Sequence, residues 1–133
     1  MIGLVLVTHG YLAIELIKAM EHVVGPQAGV ASVCIGPNDD MEIRRKDIIT
    51  AVSKVYSNSG VIVLTDMFGG TPCNLAMSIL ESDKIEVISG VNLPMLVKFA
   101  SCRKDYIFED CVRKSEEAGK KYINVVSELI KKS

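Results

Sequence analysis

The fold can be inferred outward from the stretch Asp66-Met67-Phe68-Gly69-Gly70-Thr71-Pro72-Cys73-Asn74. The aliphatic residues 61–65 before it predict a buried strand, and residues 75–80 after it predict one face of a helix. The paired glycines let the backbone turn with its amides exposed. We expect Thr71 to be the N-cap of the helix and Pro72 to be its first residue. The junction therefore predicts a loop and a helix N-terminus that can hold an anion.

Length and composition favour one globular domain spanning residues 1–133, because 49% of the residues are apolar and only 23% are charged. A formal net charge of −1 and the absence of a basic stripe argue against nucleic-acid binding. The four cysteines show no CxxC spacing, which indicates reduced thiols in a cytoplasmic protein. The apolar residues 2–7 lack a basic flank and are too few to span a membrane, so they predict a strand.

Strands and helices alternate along the chain. Strands are predicted at residues 2–7, 30–35, 61–65 and 85–88, and helices at residues 11–24, 41–57, 72–81 and 93–103. A fifth strand is expected at Tyr106-Ile107-Phe108, followed by a last helix over residues 110–131. This alternation predicts an α/β fold of three layers, α/β/α, with a mainly parallel sheet between the helices.

The predicted topology places two polar residues together. If the strand order starts 2-1-3-4, the winding reverses between strands one and three, where such sheets bind ligands. His9 follows the first of these strands and Asp66 follows the other, so we expect the two side chains to meet. A carboxylate on one imidazole nitrogen fixes the tautomer and leaves the other nitrogen available as a nucleophile. The alternative is that His9 merely ends a strand and Asp66 merely caps a turn.

Other catalytic motifs fit the sequence poorly. His9, Asp66 and a distant Cys73 do not form a recognisable set of metal ligands, so no metal is expected. The chain has no GxSxG elbow of a serine hydrolase, and no GK[ST] follows the paired glycines as in a Walker loop.

Three separated motifs resemble the mannose-type EIIA domain of the bacterial phosphoenolpyruvate-dependent sugar phosphotransferase system. They are Val7-Thr8-His9-Gly10, the stretch 66–74, and Ile88-Ser89-Gly90-Val91-Asn92-Leu93-Pro94-Met95-Leu96. The similarity extends in order over essentially the whole chain.

This resemblance implies that His9 and Asp66 are the catalytic residues. His9 would accept a phosphoryl group on Nε2 from the phosphohistidine of HPr and pass it to an EIIB protein, while Asp66 holds Nδ1–H. Gly69, Gly70 and Thr71 would line the phosphate site. No cofactor is implied, and Mg²⁺ is not required because the phosphoryl group does not leave a nucleotide.

The resemblance also implies a homodimer in which an edge strand near the C-terminus is swapped between subunits, and we place that strand at Tyr106-Ile107-Phe108. No EIIB domain follows in the sequence, so the acceptor is expected to be a separate protein, and contact with a membrane only indirect, through a transporter complex. Exposed apolar residues around the site would contact the carriers. Tyr11, Met67, Phe68 and Met95 are candidates for this role, and each is equally compatible with the core.

Two other functions stay open at this stage. One is a regulatory module that senses phosphate or binds a phosphorylated metabolite with the same anion loop and has no role in transport. The other is a receiver-like regulator with Asp66 as phosphoacceptor, although the acidic pair expected after the first strand is replaced by Thr8-His9.

Overall fold

A computed structural model describes residues 1–80 and 84–132 of the chain. Four strands form one sheet: β1 (Gly3–His9), β2 (Val30–Ile35), β3 (Val61–Thr65) and β4 (Ile85–Ser89). Their order is β2-β1-β3-β4, and every neighbouring pair is parallel. The predicted strand order and parallel sheet are therefore confirmed.

The described residues also form six helices. They are α1 (Leu12–Val24), α2 (Met41–Val55), α3 (Thr71–Met77), α4 (Leu93–Cys102), α5 (Phe108–Lys121) and α6 (Val126–Lys132). Helices α1, α4 and α5 contribute to the core on one face of the sheet, and α2 and α3 contribute to the core on the other face. This gives the predicted three layers. Over residues 1–80 and 84–132, no helix combines the length and apolar character needed to cross a membrane.

The central strand β1 shows why the sheet is buried on both faces. Leu4 and Leu6 belong to the core under α1 and α4, whereas Val5 and Val7 belong to the core under α2. All four side chains are fully buried. A strand covered on both faces needs apolar residues at consecutive positions, and residues 2–7 have this pattern.

Two helices begin at side-chain caps. Asp40 Oδ1 accepts hydrogen bonds from the amides of Glu42 and Ile43 at the start of α2. Asn92 Oδ1 accepts from the amide of Met95 at the start of α4. These caps satisfy amides that have no acceptor within their own helix.

The fifth strand predicted at Tyr106-Ile107-Phe108 is wrong. Tyr106 lies in the turn after α4, Ile107 is the N-cap of α5 and Phe108 is the first residue of that helix. The amide of Tyr106 donates to Cys102 O, and Ile107 O accepts from the amide of Cys111. These main-chain groups serve helix ends and are not available to a sheet.

The last predicted helix, residues 110–131, is two helices separated by residues 122–125. Tyr122, Ile123, Asn124 and Val125 all have weaker helix propensity than the Lys- and Glu-rich sequence before them. Other helix ends differ by a few residues: α2 ends at Val55, α3 ends at Met77 and α4 ends at Cys102. The predicted end of the third helix, Glu81, lies outside the described residues.

A buried arginine joins the amino ends of two strands to the end of α4. Arg103 is only 1% exposed, and its guanidinium donates to Ile2 O and Gly29 O at 2.9–3.1 Å. It also donates to Gln27 Oε1 at 3.2 Å and lies over the ring of Phe99. Burial lowers the pKa of this guanidinium, but arginine remains protonated in proteins, so Arg103 is a buried cation solvated by carbonyl oxygens.

Candidate active site

The candidate site lies at the carboxyl ends of β1 and β3. His9 is the last residue of β1, and Asp66 directly follows β3. The two strands are neighbours in parallel register, so their ends lie at the same edge of the sheet. Residues that are 57 positions apart in the chain are brought together in this way. The position predicted for both residues from topology is confirmed.

His9 makes two hydrogen bonds to one oxygen of Asp66. The main-chain amide of His9 donates to Asp66 Oδ2 at 2.9 Å, and imidazole Nδ1 lies 2.8 Å from the same oxygen. The side chain of His9 is 50% exposed, whereas that of Asp66 is 13% exposed. The carboxylate is thus shielded while the imidazole still reaches solvent.

Electrostatics favour an ionised Asp66. Partial burial raises its pKa, but the hydrogen bonds from the His9 amide and imidazole outweigh burial, so the pKa lies below the usual value of 3.8. An ionised carboxylate only accepts hydrogen bonds, so Nδ1 carries the proton of the Nδ1–Oδ2 bond. In the neutral imidazole, Nε2 then holds an unshared electron pair.

The two paired glycines have different surroundings, and Gly70 lies against the imidazole of His9. A Cβ atom on Gly70 would lie 2.8 Å from His9 Cε1 and 3.4 Å from Nε2, so only glycine fits there without displacing the ring. Gly69 has φ +85°, a left-handed conformation that L side chains rarely adopt. Gly70 therefore leaves space beside the imidazole of His9, and Gly69 provides the turn.

The expected cap at Thr71 is wrong by one residue. Gly70 is the N-cap, with an extended backbone, Thr71 is the first residue of α3, and no side-chain cap bond is present at this end. Glycine is itself an accepted N-cap residue, and Gly70 O accepts the amide of Asn74. The hydroxyl side chain of Thr71 is therefore not used as a cap, and Thr71 lines a cavity beside His9.

This cavity has a volume of about 190 Å³ and includes a wall that the sequence prediction missed. His9, Gly10 and Thr71 share it with Gly36 and Pro37 from the connection between β2 and α2, and with Met41, the first residue of α2. His9 is in register with Ile35 at the end of β2, and Gly10 N donates to Ile35 O. The strand order 2-1-3-4 already placed this connection next to His9, so the signal was present in the predicted topology.

A second missed residue fixes the turn that carries His9. The buried Thr8 Oγ1 accepts the amide of Ala13 in the first turn of α1 at 2.7 Å. Gly10 has φ +54°, which completes the sharp reversal from β1 into this helix. A threonine directly before the candidate histidine was the available signal for such a cap.

Large apolar side chains lie exposed around the candidate site. Tyr11 is 77% exposed, Met67 is 55% exposed and Phe68 is 73% exposed. Met95, the fourth candidate for the surface, is a core residue that is 3% exposed. Tyr11 follows the His9 turn and the other two follow Asp66, so the exposed group borders both halves of the site.

Comparison with known proteins places these features in a family. Residues 3–116 match the family model EIIA-man, described as PTS system fructose IIA component. The chain is 32% identical to the PTS system mannose-specific EIIAB component of Escherichia coli K12, over 94% of this chain and 39% of that protein. It is 26% identical to the PTS system fructose-specific EIIA component of Bacillus subtilis 168, over 99% of this chain and 91% of that protein.

A solved structure shares the architecture. The phosphotransferase system component EIIA from Streptococcus agalactiae aligns with a TM-score of 0.86 and 26% identity, covering 96% of this chain and 99% of that one. The chain spans only 39% of the length of the E. coli EIIAB relative. Because the family model covers residues 3–116 and the E. coli relative is 32% identical, the chain belongs to the EIIA-man family of sugar phosphotransferase system IIA components.

Proposed function

We propose that this chain is a single EIIA domain that acts as a phosphoryl carrier, accepting phosphate from phospho-HPr on His9 and passing it to a separate EIIB protein. The observation that carries this proposal is the 2.8 Å contact between His9 Nδ1 and Asp66 Oδ2, which leaves Nε2 as the available nucleophile beside Gly70. Membership of the EIIA-man family supports the same reaction class.

The proposed step is a displacement between two imidazoles. The electron pair of His9 Nε2 forms a bond to phosphorus as the bond from phosphorus to the donor imidazole breaks, and the donor nitrogen keeps that bonding pair. The Nδ1 proton stays in the hydrogen bond to Asp66, whose negative charge offsets the positive charge forming on the ring. The second transfer, to EIIB, is the reverse displacement at His9.

The loop beside His9 would stabilise the transferring group. Amides at Gly69, Gly70 and the first turn of α3 are donors for phosphoryl oxygens, because the first amides of a helix have no acceptor within it. The hydroxyl of Thr71 lines the same cavity as His9 and is a further donor. This chemistry requires no cofactor from the protein.

The rival functions fit the geometry less well. A cavity of about 190 Å³ is below the range of roughly 300–1,000 Å³ for small-molecule sites, which disfavours a module that encloses a phosphorylated metabolite. In a receiver-like regulator Asp66 would be the phosphoacceptor, but Oδ2 of Asp66 already accepts two hydrogen bonds from His9.

Carriers would dock on the exposed apolar group formed by Tyr11, Met67 and Phe68. Aromatic and Met side chains are enriched in protein interfaces, and these three border the imidazole that has to meet its partner. We place the reaction in the cytoplasm, with the membrane reached only through the transporter complex that EIIB serves.

We also propose that the chain forms a homodimer by exchanging a strand. Strand β4 pairs only with β3 among the described residues, so its outer edge can accept another strand. A cavity of about 470 Å³ runs along β4 and α5 and reaches Ile123. Residues 122–125 follow α5, include the highly exposed Ile123 and Val125, and are our candidate for the exchanged strand.

Radiolabelled phosphoenolpyruvate, supplied with enzyme I and HPr, tests the carrier function. The parent protein should incorporate label that is acid-labile and base-stable, as expected of phosphohistidine. His9→Ala should incorporate none, whereas His22→Ala should label like the parent because His22 lies exposed at the end of α1. Full labelling of His9→Ala, or base-labile label on the parent, would refute the assignment. Addition of EIIB should then remove the label from the parent.

Sedimentation velocity tests the dimer. Ile123→Asp should lower the mass of the species in solution to that of one chain, because a carboxylate in the exchanged strand would be buried against β4. Ile43→Asp is the matched control, since Ile43 is also exposed but lies on α2, on the other face of the sheet. A parent protein that sediments as one chain would contradict the dimer.

A further inference from the structure

The wall of the His9 cavity that comes from the connection between β2 and α2 is held by a separate side-chain network. Gly36 and Pro37 in this connection, and Met41 at the start of α2, line the cavity together with His9. None of these three supplies a charged or strongly nucleophilic group. These residues therefore contribute only to the shape of the cavity. That shape depends on the interactions that hold the connection between β2 and α2 in place.

Asp39 joins this connection to α2 through a single oxygen atom. Gly36 N donates to Asp39 Oδ2 at 2.7 Å, and Arg44 Nε donates to the same oxygen at 2.8 Å. Arg44 Nη1 also donates to Asp47 Oδ2 at 2.5 Å, which anchors the guanidinium along the helix. The hydrogen bond from Arg44, followed by that from Gly36, lowers the pKa of Asp39, so this carboxyl is ionised at neutral pH.

Starting the helix does not explain this arrangement. Asp40 already caps α2 by accepting the amides of Glu42 and Ile43. Stability is a weak explanation too, because ion pairs near the surface contribute little to the free energy of unfolding. The Asp39–Arg44 pair instead fixes the distance between α2 and Gly36. The two are closely packed, because a Cβ added to Gly36 would lie 3.1 Å from Asp39 Oδ1.

We propose that Asp39 and Arg44 are positioning residues for phosphoryl transfer, which hold the Gly36-Pro37 wall against His9 so that the phosphoryl group enters in one orientation. This inference rests on the proposed carrier function. Displacing a wall of a transfer site by about 1 Å can cost up to roughly 10²-fold in rate, because in-line transfer depends on alignment of the reacting atoms. The effect should therefore appear in the transfer rate more than in the stability of the fold.

A double-mutant cycle with purified phospho-HPr as donor tests this role. Here kcat is the rate constant of a single transfer to His9 at saturating phospho-HPr, and KM is the phospho-HPr concentration that gives half of that rate. Asp39→Ala and Arg44→Gln should each lower kcat by roughly 10- to 100-fold, with a smaller change in KM. The double variant should be no slower than either single variant, because both changes break the same link between Gly36 and α2. Asp39→Asn keeps an oxygen that accepts the Gly36 amide and should restore part of the lost kcat.

The chain provides a matched control in Arg45. This residue is also an arginine of α2, but it contacts Glu42 and Ser78 and lies outside the His9 cavity. Arg45→Gln should leave kcat unchanged. Unchanged kcat in Asp39→Ala, or losses that multiply in the double variant, would overturn the positioning role while leaving the carrier function intact. A parent protein that phospho-HPr does not label would overturn both.

Discussion

The main-chain amide and the imidazole Nδ1 of His9 converge on one atom, Oδ2 of Asp66, at 2.9 and 2.8 Å. The first of these bonds holds the backbone at the end of β1, and the second holds the ring. Asp66 therefore sets both the position and the orientation of the imidazole from a neighbouring strand. A side chain that acts in this way is expected to affect catalysis more than folding.

Replacing Asp66 with alanine should slow phosphorylation of His9 between roughly 10²- and 10⁴-fold, because the imidazole loses its fixed tautomer and the charge that offsets its developing positive charge. The fold should persist, since Asp66 lies at a strand end and not in the core. Initial rates with phospho-HPr measure the first effect, and circular dichroism checks the second. Asp105→Ala, an exposed aspartate in the turn after α4, is the control. A rate within twofold of the parent would contradict the role of Asp66.

Low pH should remove the contribution of ionised Asp66 to the free energy of unfolding. Its folded-state pKa lies below the usual 3.8, so the contribution is fully present above the unfolded-state pKa and is lost as pH falls through the lower folded-state value. The parent should therefore exceed Asp66→Asn in free energy of unfolding at about pH 6, and the difference should shrink below about pH 4. Urea unfolding across this range measures it. A difference that stays constant with pH would show that charge is not involved.

The two adjacent glycines should respond differently to alanine. Gly70 has φ −84°, which alanine tolerates, so Gly70→Ala should lose less stability than Gly69→Ala. Its Cβ would, however, lie 2.8 Å from His9 Cε1 and displace the ring. We expect roughly a 10²-fold loss in phosphorylation rate. Gly69→Ala should instead lower stability by about 1–2 kcal/mol, because of its positive φ. Phosphorylation rates and chemical unfolding of both variants test this contrast, which the reverse pattern would refute.

Removing the buried guanidinium should destabilise the fold without touching the site. Arg103→Ala leaves the carbonyl of Ile2 without its guanidinium donors and removes one of the two donors to Gly29 O, which keeps the amide of Leu4. We expect a loss of about 2–4 kcal/mol in the free energy of unfolding. Lys104→Ala, at the exposed next position, should change stability by less than about 0.5 kcal/mol. At temperatures where Arg103→Ala is folded, its rate of His9 phosphorylation should match the parent. Equal stability of the two variants would contradict the proposed role of the arginine.

The sequence predicted the sheet and the pairing of His9 with Asp66 because both depend on strong, local signals. Residues 2–7 and 61–65 are continuously apolar, as strands covered on both faces require, and the helices between strands leave parallel pairing as the simple topology. Once the strand order is known, the meeting of the two strand ends follows from geometry. The catalytic roles of the residues remain proposals.

The wrong predictions concern residues whose structure depends on their hydrogen-bond partners and neighbours, which the hydrophobic pattern of the sequence does not reveal. The aromatic and apolar residues 106–108 resemble a strand, but their main-chain groups are taken by the adjoining helix ends. Gly70 and Thr71 are both acceptable N-caps, so residue type alone does not decide between them. The wall formed by Gly36 and Pro37 lacks chemically reactive side chains, so no catalytic motif in the sequence indicates it.

The ion pair of Asp39 with Arg44 could not be predicted from the sequence for a different reason. Arg44 has carboxylates at Asp39, Asp40 and Asp47 within reach along the chain, and spacing alone does not say which of them it contacts. Capping by Asp40 removes one candidate only when the backbone is known. Side-chain choices among near-equivalent partners need coordinates.

The pairing of β1 with β3 makes the contact between His9 and Asp66 dependent on a strand that is synthesised after β1. Asp66 follows His9 by 57 positions, and its carboxylate reaches the imidazole only when β3 docks beside β1. A nascent or partly unfolded chain therefore carries an ordinary surface imidazole without its orienting group. We therefore expect His9 to be phosphorylated efficiently only after β3 has paired with β1. Incompletely folded molecules should then consume little of the phosphorylated donor.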